Sequence, residues 1–234
     1  NEITTSIKDN VKGDKFTGYD GDEVLWTFPK GSEQKIKYEL PNGKTGELTN
    51  QEFNAKQKGL EAQGAVFSYD AFNTLEGAIE GPAFKKALED YTNSPEDFFI
   101  STARSPGARK AIIKWMNEKG FIGFSSDNLF TTQGTMDQGG ENLKVTQTLL
   151  PVITGEWNGK TYTKGDFHDD HHDNIIHWGH AAKELGIEGD VNLVVSTDNK
   201  VDFSEETAKK NGVLYNQEDP GGALNLIIQE TTGT

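Results

Sequence analysis

Asp20-Gly21-Asp22-Glu23-Val24 places two carboxylates two residues apart. Phe98-Phe99-Ile100-Ser101-Thr102-Ala103-Arg104 ends an apolar run on a hydroxyl, and Phe167-His168-Asp169-Asp170 carries an acidic pair. These types in this order suit a Mg2+-dependent phosphoryl-transfer site. One carboxylate of the first pair can attack phosphorus while the other manages the proton of the leaving oxygen. The distant pair completes the all-oxygen cage that hard divalent cations take. Asp20 is then the nucleophile and Asp22 the general acid and base. Mg2+ would lie between Asp20, the backbone carbonyl of Asp22 and Asp170, with Asp169 as a supporting or alternative ligand. Thr102 would hydrogen-bond a phosphate oxygen, and a lysine must balance the remaining charge.

Each motif is read as directly following a strand, Lys15–Tyr19 for the first and Asp97–Ser101 for the second. The carboxyl ends of parallel strands are where an open sheet gathers its ligand groups. Ser105-Pro106 opens an expected helix over Gly107–Lys119, with Ile112, Ile113, Trp115 and Met116 inward and Gly120 as its stop. A further helix is expected from Asp173 to Leu185, closed by Gly186 and followed by a strand at Val191–Val195. Pro82 should start a helix whose Phe84, Leu88 and Tyr91 share a face. Between the first two motifs, Lys35–Leu40, the turn Pro41-Asn42-Gly43-Lys44 and Thr45–Leu48 form a hairpin signal. Thr49 and Glu52 then make a capping-box pattern for a short helix to about Lys58, ended by Gly59. Ala65–Tyr69 and Phe121–Phe124 read as extended, Leu143–Ile153 as helical across Pro151, and Thr154–Lys164 as a turn or small hairpin. Residues 1–14 read as a loose arm and 15–234 as one domain. Alternating strands and helices predict an α/β sandwich.

The chain has 234 residues, a formal charge of −14 and a pI near 4.8, which argues against a nucleic-acid groove or an anionic membrane surface. No apolar run is long enough to span a membrane. Without cysteine, disulfides, iron–sulfur clusters and thiolate zinc are excluded. The first residue is Asn1, with no charged-then-apolar leader, which fits either a removed signal segment or a trimmed chain. Cytoplasmic, exported and virion-associated locations stay open, as does oligomeric state.

The motifs Asp20-Gly21-Asp22-Glu23-Val24-Leu25, Ile100-Ser101-Thr102-Ala103-Arg104 and Phe167-His168-Asp169-Asp170 with Asn174-Ile175 resemble those of the haloacid dehalogenase-like (HAD) phosphohydrolase superfamily. The resemblance covers about residues 15–186. It implies a three-layer α/β sandwich with a mainly parallel, Rossmann-like sheet, and a flap formed by the hairpin at about 35–48 with no large cap. It also implies hydrolysis of a small phosphorylated substrate through an aspartyl-phosphate. The family's lysine falls best on Lys144, with Lys160 and Lys164 as alternatives. Val24 replaces the family's commoner threonine, and Lys15–Tyr19 is less apolar than its usual core strand.

Two rival readings compete. Ala65-Val66-Phe67-Ser68-Tyr69-Asp70 presents a better strand before Asp70, which would make that residue the nucleophile of a dehalogenase-type hydrolase. A non-catalytic secreted or virion component retaining the fold is the other. All five histidines, His168, His171, His172, His177 and His180, fall close together, as a transition-metal site would require, although no His-Glu-x-x-His pattern is present.

Overall fold

The computed structural model describes residues 11–135, 139–196 and 224–231. Most of the expected arm, residues 1–10, lies outside these, as do 197–223 and 232–234 of the expected single domain. Val11–Lys12 (β1) opens the described chain, followed by Phe16–Tyr19 (β2) and Trp26–Thr27 (β3). The hairpin is present as Ile36–Glu39 (β4) and Thr45–Leu48 (β5), paired Ile36 to Leu48 and Glu39 to Thr45. Thr49 and Glu52 make their reciprocal capping bonds, opening the helix Asn50–Glu61 (α1). That helix runs through Gly59 instead of stopping there, because neighbouring turns carry one internal glycine at modest cost.

Val66–Ser68 (β6) pairs antiparallel with β4, so the hairpin grows into a three-stranded sheet. Phe53 of α1 sets its ring edge-on to Phe67 at 5.1 Å, backing that sheet with the helix. Ile79–Glu80 (β7) then pairs antiparallel with β3. The insert between the first two motifs is therefore hung on a two-stranded stem, and is more than the two-stranded flap expected.

Phe84–Asn93 (α2) precedes Phe98–Thr102 (β8), and Arg109–Glu118 (α3) precedes Leu129–Thr131 (β9). Phe121–Phe124, expected to be extended, is a turn whose rings enter the core; the strand begins only at Leu129. Lys144 is followed by a π-helical turn, Val145–Leu149, running into the short helix Leu150–Thr154 (α4). The wider turn reconciles Pro151 with the helix: Pro151 sits in the first turn of α4, where its missing N–H is tolerated. Lys160–Thr161 (β10) forms no hairpin but pairs in parallel with β1. Gly165–Asp169 (β11), His172–Glu184 (α5), Gly189–Ser196 (β12) and Leu224–Thr231 (β13) complete the chain.

Five parallel strands lie in the order β9-β8-β2-β11-β12, and β13 extends the sheet beside β12. Side chains alternate across it. Phe98 and Ile100 enter one core with Phe84 and Tyr91 of α2 and Ile112, Trp115 and Met116 of α3. Phe99 enters the other, with Phe16, Phe167, Val152 of α4 and Ile175 and Trp178 of α5. The sparse apolar content of β2 follows from packing. A Cβ on Gly18 would lie 2.4 Å from the Phe99 ring, so glycine there is what lets Phe99 and Phe167 close over the strand. Among the described residues, no helix is long and apolar enough to cross a membrane.

Candidate functional site

The chain order reverses across the β2–β11 seam, where the connection leaves β9 and returns on the far side of β2. Crevices at such switch points, outside the carboxyl ends of the strands, collect ligand groups. Asp20 follows β2, Thr102 ends β8 and Asp169-Asp170 ends β11.

The turn after β2 is built by Gly21, whose carbonyl accepts the N–H groups of Leu25 (2.8 Å) and Trp26 (3.1 Å). A Cβ on Gly21 would lie 2.2 Å from the Trp26 indole, so no larger residue fits. Glu23, the next residue but one, takes φ 58°, a left-handed conformation that is uncommon outside glycine and concentrates at functional sites. The Asp22 carbonyl accepts no hydrogen bond among the described residues.

Lys144 is 1% exposed and bridges two of the aspartates, with Nζ 2.8 Å from Asp20 Oδ1 and 2.6 Å from Asp169 Oδ2. The expectation placing the lysine at Lys144 corresponds to a residue inside the aspartate cluster. The alternatives lie elsewhere: Lys160 binds Asp97 at 2.6 Å beside β10, and Lys164 pairs with Glu188 at 3.4 Å on the surface. Asp169 is fully enclosed by donors, receiving the His171 N–H (2.8 Å) and both contacts of Asn174 Nδ2 (3.1 Å each) besides Lys144. Asn142 holds Asn174 in turn, at 3.0 Å. Asp20 Oδ1 accepts the Gly21 N–H at 2.7 Å as well as Lys144, while its Oδ2 and the whole Asp170 carboxylate have no hydrogen-bond partner among the described residues.

Ligand atoms of Asp20, Asp169 and Asp170 all lie within 4.8 Å of one another, a cluster that could hold a metal ion. Three carboxylates face one ammonium. Burial, opposed by Lys144 and reinforced by Asp169, pushes the Asp20 carboxyl up to about 7. Burial and then the Asp169 and Asp20 charges raise Asp170 well above the carboxylate range. Burial alone would lower Lys144, but the two adjoining carboxylates outweigh it and raise the ammonium. The unpartnered oxygens of Asp20 and Asp170 are hard donors in this cluster, and they fit a hard divalent cation.

Asp22 forms a two-pronged pair with Arg104, at 2.8 Å from Nε to Oδ2 and 2.6 Å from Nη2 to Oδ1. Trp26 Nε1 donates to Asp22 Oδ1 at 3.0 Å. Arg104, quoted in the second motif without a role, is 4% exposed, and Asp22 is its acidic partner. Thr102 is fully buried and accepts the Arg104 N–H at 3.3 Å, and its own O–H has no acceptor among the described residues. Asn174, five residues after Asp169, lay inside the quoted motif but carried no role until the fold set its amide against that carboxylate.

Asp70 belongs to a different part of the molecule. It is exposed, accepts from Ser68 Oγ at 2.8 Å, and follows a strand of the small antiparallel sheet, not of the parallel one. The histidines do not converge either. His168 is fully buried on β11, stacked on Tyr19 at 4.1 Å, with Nδ1 donating to the Gly18 carbonyl at 3.2 Å. Burial drives its pKa down to about 4, so the ring stays neutral. His171 and His172 stack on each other at 5.4 Å at the start of α5, and His177 is exposed farther along it. No group of histidines suited to a metal forms among the described residues.

No family model, curated protein or solved structure matches this chain.

Proposed function

We propose that the chain is a Mg2+-dependent phosphomonoester hydrolase of the HAD type, with a Rossmann-like three-layer core and Asp20 as nucleophile. The observation that carries this reading is Lys144, buried between Asp20 and Asp169 with the Asp170 carboxylate open beside them at the ends of two adjacent parallel strands. A lysine so placed offsets the charge of a nucleophilic carboxylate and its phosphate together.

In the first half-reaction an Asp20 carboxylate oxygen bonds to phosphorus, and the ester P–O bond breaks as Asp22 gives a proton to the departing alkoxide. In the second, Asp22 takes a proton from water, the resulting hydroxide attacks phosphorus, and the bond to Asp20 breaks to release phosphate and the original carboxylate. Lys144 and the Gly21 N–H keep Asp20 Oδ1 in place throughout. The Thr102 hydroxyl donates to a phosphate oxygen. Asp20, Asp170 and the Asp22 carbonyl would hold the Mg2+, with Asp169 orienting Lys144, and the ion supplies the positive charge that lets a phosphate dianion approach an anionic nucleophile.

Hydrolysis of p-nitrophenyl phosphate in Mg2+, and its loss in EDTA, is the direct test. Turnover that persists in EDTA would overturn the metal-dependent reading. Metal binding has its own readout in thermal melting. Between about pH 4 and 7 the folded chain retains a proton on Asp20 that the unfolded chain has released. Metal-free stability from this group therefore falls as pH rises through that window. Mg2+ binds the deprotonated site, so the rise in Tm that it produces should be larger at pH 8 than at pH 5.5 and should vanish in Asp170→Asn. A metal-induced rise without any turnover would assign the site to a non-catalytic metal-binding protein.

A further inference from the structure

The insert between the first two motifs is tied to the second motif by Ser105, whose Oγ donates to Asn73 Oδ1 at 2.9 Å, and more extensively by Arg104. Arg104 has five N–H donors, and all five are engaged. Nε and one Nη2 hydrogen meet the two Asp22 oxygens. The second Nη2 hydrogen meets Gln34 Oε1 at 2.7 Å, and Nη1 meets the carbonyls of Phe72 (2.6 Å) and Thr74 (3.0 Å). Gln34 completes the ring by donating from Nε2 to the Thr74 carbonyl at 2.7 Å. The orientation of its amide is fixed by these partners, since a guanidinium can only donate and a carbonyl can only accept. The Phe72 and Trp26 rings flank the guanidinium, 5.4 and 5.7 Å from its carbon.

Arg104 therefore has no donor left for a phosphate, and it bears on the chemistry only through Asp22. An ionised carboxylate offers about four lone-pair directions. Arg104 takes one on each Asp22 oxygen and Trp26 takes a second on Oδ1, so the direction left open lies on Oδ2. A proton passing to or from Asp22 uses that direction. Where it points depends on how the two-pronged contact with the planar guanidinium holds the carboxylate, and the far edge of that guanidinium is set by Gln34, Phe72 and Thr74. Two of these contacts are main-chain carbonyls; Gln34 is the side chain among them.

We propose that Gln34 is a positioning residue for Asp22, acting through Arg104, so that seating of the insert aligns the acid–base carboxylate. The kinetic consequence rests on the phosphatase reading. The positioning itself does not, and the two are tested separately. The chain contains only two arginines, Arg104 and Arg109, so their side-chain NMR signals are assignable with an Arg109→Lys variant. The parent should show separate Arg104 Nη proton signals, the mark of arrested rotation. Gln34→Met, which keeps the length but not the polar ends, should merge them. Gln34→Glu retains an acceptor for Arg104 and should restore the separation. If Gln34→Met leaves the Arg104 signals unchanged, the proposal fails.

A misaligned acid matters most when the leaving group is poor. Gln34→Met should lose roughly tenfold in kcat on glycerol phosphate but only about twofold on p-nitrophenyl phosphate, with the Mg2+ dependence of both unchanged. Equal losses on the two esters would overturn the positioning role. A parent protein that hydrolyses neither would sink the phosphatase reading, and the Arg104 signals alone would then decide whether Gln34 positions the pair.

Discussion

Asp20→Asn should abolish the proposed turnover, lowering kcat by roughly a thousandfold or more, while the fold should survive. The amide cannot form the phosphoryl bond, yet it retains an oxygen for the Gly21 N–H, which now bonds Asp20 Oδ1 at 2.7 Å. Lys144 keeps Asp169 as its counter-charge at 2.6 Å. Substitution also removes one of the clustered carboxylates whose burial pushes Asp20 up to about 7. At pH 8 without metal, the variant should therefore melt no lower than its parent, while its response to Mg2+ should shrink. Asp70→Asn is the paired control and should leave any turnover unchanged, because Asp70 is exposed and its carboxylate accepts a hydrogen bond from Ser68 on the antiparallel sheet. An active Asp20→Asn protein beside a dead Asp70→Asn protein would transfer the nucleophile to the other motif.

Lys144→Ala should combine a kinetic loss with a loss of stability, and the two are measured apart. On the kinetic side, withdrawing the ammonium from a nucleophile that faces a phosphate removes about 3 kcal/mol of transition-state stabilisation, or roughly a hundredfold in rate. On the stability side, breaking a buried pair by deleting one partner leaves uncompensated charge and costs about 3–5 kcal/mol. Lys144 is 1% exposed with Asp169 fully buried against it, so this is the regime that applies. Urea titration gives the second term, and initial rates well below the unfolding midpoint give the first. Added Mg2+ should recover part of the stability and little of the rate. Lys164→Ala should be nearly silent in both, since its pair with Glu188 is exposed. Lys160→Ala should lower stability through its lost contact with Asp97 and leave the rate unchanged. A rate loss that followed Lys160 or Lys164 would show that Lys144 is only a structural cation.

Local signals in the chain were sufficient for the elements that depend on neighbours close in sequence. The capping box at Thr49 and Glu52, the Ile36–Leu48 hairpin with its Asn-Gly turn, and the helices after Pro82, Pro106 and Asp169 follow from short-range hydrogen bonding and apolar periodicity. The candidate residues Asp20, Thr102, Asp169 and Asp170 were legible for a related reason. Each ends a strand-like run, and strand ends are where parallel sheets present side chains. The misreadings also have local causes. Phe121–Phe124 is apolar without being a strand, since apolar content marks burial but does not by itself set the backbone. The segment after Lys144 did read as helical across Pro151, and only the π turn that accommodates the proline was hidden, since a widened turn leaves no mark in apolar spacing.

What only the tertiary structure decided is which charges meet. That Asp169 is saturated by Lys144, Asn174 and the His171 N–H, while Asp170 stands open, follows from the seam between β2 and β11 and cannot be read from two adjacent aspartates. The pairing of Asp22 with Arg104 spans 82 residues, and the tie to Gln34 spans 70. Composition and periodicity report on neighbours within a turn or a strand, whereas ion pairs of this reach depend on strand order and on where an insert folds back. The sequence by itself determined an acidic α/β chain with carboxylates at strand ends. The order of its parallel strands determined that those carboxylates share one lysine.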